Sequence, residues 1–437
     1  MFPPLPLEHT LKSGAIVSVA AIASLRIFLP DWSRLLPVRI GLALLLATEA
    51  LGFTLWSQAP AFNRWDISSK GVGLTYFAIT LLATLSVTVP PTAIIRKLLS
   101  LLFLRKPALP VLALPAPPLD VTVTVPVTVT VTDLAPATTS KLASTLSRRT
   151  LIHGTAASLP LLAMSRTARG FSTANDPQQL KIVRMRYPNL PPRLHGLRIL
   201  HLSDLHLGVS FHVSDLEALL ERARAHAPHL IVLTGDVIDD PSELAPALQA
   251  VHDFRAPLGA FASIGNHEYL HDIAVTRPIY DRSPLPLLLD RGATIKVGDA
   301  RIWIAGANDP IREHDLGGFL ASSVERCIAH APADAFKLLL SHRPEGFLPG
   351  AARGFDLTLS GHTHGHQIGI GGKSILEVVD GKDLQWGSYT RGDKQLYTTS
   401  GFGHWFPFRV GCPTEAPIVI LERGPSPAPS STRARVG

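Results

Sequence analysis

The sequence predicts an α/β layered domain preceded by N-terminal transmembrane helices. Two observations carry that expectation. Three apolar segments with basic residues at their ends open the chain. From residue 197 onward, short apolar runs alternate with amphipathic stretches and end in several strand-like runs.

The apolar segments are residues 14–29, 40–56 and 71–89. The first is short and carries Arg26 near its end. The second contains Glu49, and the third has no charge at all. Arg34 and Arg39 precede the second, while Arg96, Lys97, Arg105 and Lys106 follow the third. Lys/Arg at the ends of successive apolar segments favour membrane spans over buried helices of a soluble domain. Glu49 inside a span is costly unless it meets a partner, which leaves a polar pathway or a neighbouring helix as its setting.

Residues 107–147 are rich in Pro, Thr, Val and Ala, and the alternating Val/Thr run at 121–132 is interrupted by Pro126. This composition reads as an extended linker. Arg148-Arg149 then opens an apolar run, so residues 148–169 read either as a twin-arginine-like export signal or as a last membrane span. Both send the downstream chain across the membrane. The domain organisation expected is therefore a transmembrane region at 1–106, the linker, the 148–169 segment, a main domain at 190–423 and a disordered Pro/Ser/Arg-rich tail at 424–437.

Within the main domain, strands are expected at 197–202, 230–233, 260–264, 302–305, 336–340, 357–359, 396–399 and 418–421. Helices are expected at 215–227 and 243–252.

The formal charge of +7 is unevenly placed. Residues 1–169 hold 15 Lys+Arg against 6 Asp+Glu, and the remainder hold 26 against 28. The basic excess belongs to the apolar segments, so it reads as membrane-flanking charge, and no nucleic-acid partner is expected. Histidine is skewed the other way, with 16 of 18 beyond Pro188. The two cysteines, Cys327 and Cys412, are too few for a thiolate zinc site or a disulfide framework; one bridge or two buried thiols remain.

Five polar clusters each follow an expected strand: Asp204-Leu205-His206, Gly235-Asp236 with Asp239, Gly265-Asn266-His267-Glu268, Ser341-His342 and Gly361-His362-Thr363-His364. In open α/β sheets the ligand site lies beyond the carboxyl ends of the strands, so the fold would converge these clusters on one crevice. Carboxylate, amide oxygen and imidazole make a mixed oxygen/nitrogen donor set suited to divalent cations. Two such ions about 3.5–4 Å apart can activate water and offset charge on a phosphoryl group. The glycines before Asp236, Asn266 and His362 would permit tight turns that aim these side chains.

In this order the motifs resemble those of the calcineurin-like metallophosphoesterase superfamily, from about residue 197 to 422. The resemblance implies a layered β-sandwich flanked by helices and a binuclear centre of Mn, Zn, Fe, Ni or Mg. By the same resemblance Asp204, His206 and His364 hold one metal and Asn266, His342 and His362 the other. Asp236 bridges them, His267 protonates the leaving oxygen or stabilises the transition state, and Asp239 orients its neighbours.

Within that superfamily, residues 360–365 and the closing stretch at 409–415 are similar to bacterial membrane-associated members, including those that cleave lipid-linked pyrophosphates. This implies a multi-pass protein of the bacterial inner membrane, acting on a phosphate-ester or lipid-linked substrate with its catalytic domain extracytoplasmic. His366 departs from the pattern, which has glycine there; it and His404 are candidates for lining the substrate pocket. His201, His212 and His271 read as structural or solvated. The segment 402–408 with Trp405 reads as a contact for an apolar substrate or membrane, or as packing. Two further functions are kept open: a nuclease or cyclic-nucleotide phosphodiesterase, and a non-catalytic metal-binding membrane scaffold.

Overall fold

The computed structural model describes residues 7–62, 65–103, 148–208, 210–309, 315–381, 383–404 and 406–426. The expected linker at 107–147 lies outside these residues, as do Arg105, Lys106, Trp405 and most of the expected tail.

Helices Leu7–Phe28, Leu36–Phe62 and Trp65–Phe103 contain three windows long and apolar enough to cross a membrane, Leu11–Phe28, Leu36–Leu55 and Leu74–Leu98. Ile16, Val19, Leu44 and Val87 point outward, while Leu25, Leu29 and Val89 pack inside the bundle. Glu49 is buried and accepts from Ser18 Oγ at 2.7 Å, so it faces a neighbouring helix. Helix Arg148–Ser172 runs antiparallel to the third of these helices, with Thr84 beside Thr167 and Phe77 against Phe171.

The remainder is a sandwich of two twisted sheets. Its strands are β1 (Ile182–Tyr187), β2 (Arg198–Leu202), β3 (Leu230–Thr234), β4 (Ala260–Ser263), β5 (Arg291–Val297), β6 (Ala300–Gly306) and β7 (Phe336–Leu340). They continue as β8 (Leu357–Ser360), β9 (Gly369–Ile370), β10 (Lys373–Ser374), β11 (Gly387–Arg391), β12 (Lys394–Thr398) and β13 (Ile418–Arg423). One sheet has the order β1-β13-β2-β3-β4 and the other β11-β12-β8-β7-β6-β5, while β9 and β10 form a separate antiparallel hairpin. β2, β3 and β4 are parallel to one another, as are β6, β7, β8 and β12.

Alternation along the strands builds the layers. Ile199, Leu230 and Val232 meet Ile304, Leu338, Leu340 and Leu357 between the sheets. The intervening Leu200, Leu202, Ile231 and Leu233 face helices Val213–Arg224 and Leu244–Asp253. On the outer side of the second sheet, Trp303, Ala305 and Leu339 pack against helix Leu316–Ile328. This is the layered α/β sandwich flanked by helices that the sequence implied. Cys327 and Cys412 are both free and buried, and burial raises each thiol to about 12; there is no bridge between them.

Candidate metal centre

Each polar cluster sits where a parallel strand ends: Asp204 after β2, Asp236 after β3, Asn266 and His267 after β4, His342 after β7, and His362 and His364 after β8. The first sheet supplies one half of the site and the second sheet the other. Asp204, His206, Asp236, His362, His364 and His366 all adopt positive φ, from 48° to 67°. Non-glycine residues in that region are strained by about 1–3 kcal/mol each, and such strain gathers at functional sites.

The glycines act in two ways. Gly235 has φ 86° and needs the left-handed conformation. Gly265 and Gly361 do not have positive φ; a Cβ at Gly265 would run into Asp236 Oδ1, and one at Gly361 into Asp204 Oδ2. Their function is to leave room for the carboxylates, which corrects the expectation of turn-making at those two positions.

One cluster comprises Asp204, His206 and His364. His206 Nε2 and His364 Nε2 lie 3.1 Å apart, and His364 Nε2 is 3.4 Å from Asp204 Oδ1. A second comprises Asp236, His342 and His362. His342 Nε2 lies 3.1 Å from Asp236 Oδ2, 3.2 Å from Asn266 Oδ1 and 3.1 Å from His362 Nδ1. His342 donates from Nδ1 to the Thr234 carbonyl at 2.8 Å, which turns Nε2 toward the cluster. Asp236 lies between the two groups, its Oδ2 also 3.9 Å from His206 Nε2.

The electrostatics favour positive charge at both points. Burial pushes His206 down, yet Asp239 and the carboxylates around it outweigh this and raise it to about 9. His342 is likewise lowered by burial but raised to about 10 by Asp236. Their partners His364 and His362 are held well below the usual range by burial and by those charged imidazoles. Converging imidazole nitrogens and carboxylate oxygens that already select a cation fit a divalent metal.

Asp239 stands behind His206 and His267, with its Oδ1 3.1 Å from His206 Nδ1 and 2.7 Å from His267 Nδ1. It also lies 3.6 Å from the buried His271 Nε2. Glu268 is fully buried and ties the loops together, accepting from the backbone N–H of Gly265, Asp236 and Val237 at 2.8, 3.1 and 2.9 Å.

Residues 197–366 match the family model described as calcineurin-like phosphoesterase. This stretch is a calcineurin-like phosphoesterase domain. The chain is 33% identical over 247 residues to an uncharacterized metallophosphoesterase of Campylobacter jejuni, covering 56% of this chain and 62% of that protein. It is 26% identical over 318 residues to UDP-2,3-diacylglucosamine pyrophosphatase LpxG of Chlamydia trachomatis, covering 55% and 88%. It is also 26% identical over 268 residues to a transmembrane protein with metallophosphoesterase domain of Danio rerio, covering 58% and 60%. The chain thus spans under two thirds of the Campylobacter and Danio proteins.

Other side chains near the site and beyond residue 366 take further places. His404 is buried, with Nε2 2.7 Å from Asn175 Oδ1 and its ring against Phe211; burial and Arg409 lower it to about 3. His366 is exposed, with Nδ1 3.3 Å from Ser374 Oγ. Phe406 and Phe408 pack on Phe171, and Phe406 also meets Tyr76, so the aromatic segment docks on the chain's own N-terminal helices.

Sequence reasoning missed two arginines. Buried Arg409 donates to the Ser400 and Gly403 carbonyls at 2.8 and 2.6 Å and lies 3.3 Å from His364 Nδ1. Arg343 donates from Nε to Asp309 Oδ1 at 2.8 Å and lies 2.7 Å from His362 Nε2. Adjacency to His342 was the available signal for Arg343.

Proposed function

We propose that the chain is a metal-dependent phosphohydrolase acting on a phosphodiester, pyrophosphate or phosphomonoester of a membrane-associated or lipid-linked substrate. The observation that carries this reading is the convergence of donors from both sheets around Asp236. Asp204, His206 and His364 would hold one divalent ion, and Asn266, His342 and His362 a second, with Asp236 between them. Bound there, the pair would acidify water and offset charge on the phosphoryl oxygens.

The chain's own side chains position and transfer protons. Asp239 is held well below the usual carboxylate range, because His206 and His267 outweigh its burial. It therefore accepts from both Nδ1 atoms, and both Nε2 atoms lie 3.9 Å from Asp236 Oδ2. His267, whose Nε2 lies 3.9 Å from Asp236 Oδ2, would donate a proton from that nitrogen to the leaving oxygen.

The lipid-linked substrate is supported by the three apolar helices, the third of which meets the domain at Tyr76, and by the activity for which the Chlamydia relative is named. The helix arrangement supports an extracytoplasmic domain. Arg26, Arg34, Arg39, Arg96 and Lys97 lie at one end of the bundle, where helix Arg148–Ser172 also begins. Tyr76 and Phe171, which meet the domain through Phe406 and Phe408, mark the opposite end. Short segments rich in Lys/Arg stay in the cytoplasm.

Hydrolysis of bis-p-nitrophenyl phosphate and p-nitrophenyl phosphate with added manganese tests the activity, and a lipid-extract screen read by mass spectrometry tests the substrate class. Bound metal with no hydrolysis of either ester would overturn the enzyme reading and leave a metal-binding scaffold.

A further inference from the structure

Ile370, Val378 and Val379 are 57%, 53% and 75% exposed. They lie on the β9–β10 hairpin and on helix Ile375–Val379, which packs against it directly downstream of His362 and His364. The inner side of this small element is occupied: Glu377 accepts from Trp386 N at 3.0 Å and from the Tyr389 hydroxyl. Ser374 Oγ caps the helix at Leu376 N. The two valines at the helix end are left outside that packing. Apolar area held in water forfeits about 25 cal/mol per Å2, and these three side chains stand exposed on one small anchored element.

The backbone indicates what would cover them. Gly369 N donates to the Val410 carbonyl at 2.8 Å, and Val410 N to the Gln367 carbonyl at 2.9 Å. Gln367 Nε2 donates to the Phe406 and Phe408 carbonyls, both at 2.6 Å. Those two rings pack on Phe171, and Phe406 on Tyr76, within the first turn of the apolar window Leu74–Leu98. Arg409 N donates to the Gly170 carbonyl at 2.9 Å, completing the seam. The hairpin is therefore joined, by hydrogen bonds, to the segment that rests on the first turn of that apolar window.

We propose that residues 369–379 form a lipid-contacting element that dips Ile370, Val378 and Val379 into the acyl boundary of the bilayer holding the N-terminal helices. Interfacial elements bury their apolar face by about 5–10 Å. Lys373, exposed in the same hairpin, can extend its ammonium to the headgroup phosphates. A lipid-linked phosphate could then reach His362 and His364 while its chains stay in the membrane. The proposal rests on the reading that the apolar helices span a bilayer, and it deepens the lipid-substrate reading.

The full chain carrying Val379→Cys, labelled with bimane, is reconstituted into phosphatidylcholine liposomes with or without brominated acyl chains. Ile370→Cys serves as an independent second position. Leu44→Cys, on an outward face of a membrane helix, is the lipid reference. Asp299→Cys, in the β5–β6 turn at the strand end away from the site, is the water reference. Bimane at 379 and 370 should lose a share of its fluorescence comparable to that lost at Leu44. Fluorescence retained as at Asp299 would overturn the proposal. Quenching absent at Leu44 as well would overturn the membrane reading beneath it. Turnover is not the readout, so failure of the phosphohydrolase reading stays distinguishable.

Discussion

His267 donates from Nδ1 to Asp239 Oδ1 at 2.7 Å, and that same oxygen lies 3.1 Å from His206 Nδ1. One carboxylate oxygen thus orients a candidate metal ligand and the candidate proton donor together. Asp239→Asn should weaken metal affinity by about 10- to 100-fold, the usual effect of removing a carboxylate behind a ligating histidine. Turnover should fall even when metal is restored to saturation. Metal titration with parallel kinetics checks both, and unchanged affinity would detach Asp239 from the site.

His267→Ala should keep metal content and cut turnover by about 10²–10⁴-fold, the usual contribution of a general acid. The loss should shrink for p-nitrophenyl esters, whose leaving group needs little protonation, relative to alkyl esters. Equal losses on both would remove the proton-donor role.

Asp236→Asn should loosen both metals and abolish activity, because Asp236 Oδ2 lies 3.1 Å from His342 Nε2 of one cluster and 3.9 Å from His206 Nε2 of the other. Elemental analysis showing two ions per chain with near-normal turnover would contradict the bridging role.

His201 is fully buried, with Nε2 2.8 Å from Thr234 Oγ1, and burial lowers it to about 3 from its ordinary 6.5. Its folded pKa is depressed, so the unfolded chain takes up a proton that the folded chain refuses between those values. Stability should therefore fall as pH drops below 6.5. Between pH 7 and pH 5 the loss from this group should be about 2 kcal/mol. Denaturation of wild type and His201→Gln at both pH values should show a correspondingly smaller pH-dependent loss in the variant; parallel losses would exclude His201 as the source.

A fusion placed after Gly424 should report the topology. Alkaline phosphatase should be active there and green fluorescent protein dark if the domain lies outside the cytoplasm. The reverse pair of results would place the domain in the cytoplasm and make nucleotide-linked lipid precursors the natural substrates.

The sequence by itself determined the donor chemistry and its order along the chain. Asp204, His206, Asp236, Asn266, His342, His362 and His364 each follow an apolar run, and residue type and strand-end position are local properties. Strands such as β3 and β7 were legible for the same reason: their apolar runs are short and bounded by polar residues. β1 was not anticipated, although Val183, Met185 and Tyr187 alternate with Ile182, Arg184 and Arg186; its partner β13 lies more than two hundred residues away. β5 and helix Leu316–Ile328 were also unread, since Gly292 interrupts one and Gly317-Gly318 opens the other.

Only the tertiary structure decided which groups meet. His362 N donates to Asp204 Oδ1 at 2.9 Å across 158 residues, and this contact exists because Gly361 leaves the carboxylate room. Asp239 behind both His206 and His267, Arg409 beside His364, and Phe406 against Tyr76 are likewise contacts between distant segments. A side chain carries its chemistry wherever it sits, but its partners are set by sheet order and by the packing of whole layers. Neither can be read from neighbours in the chain.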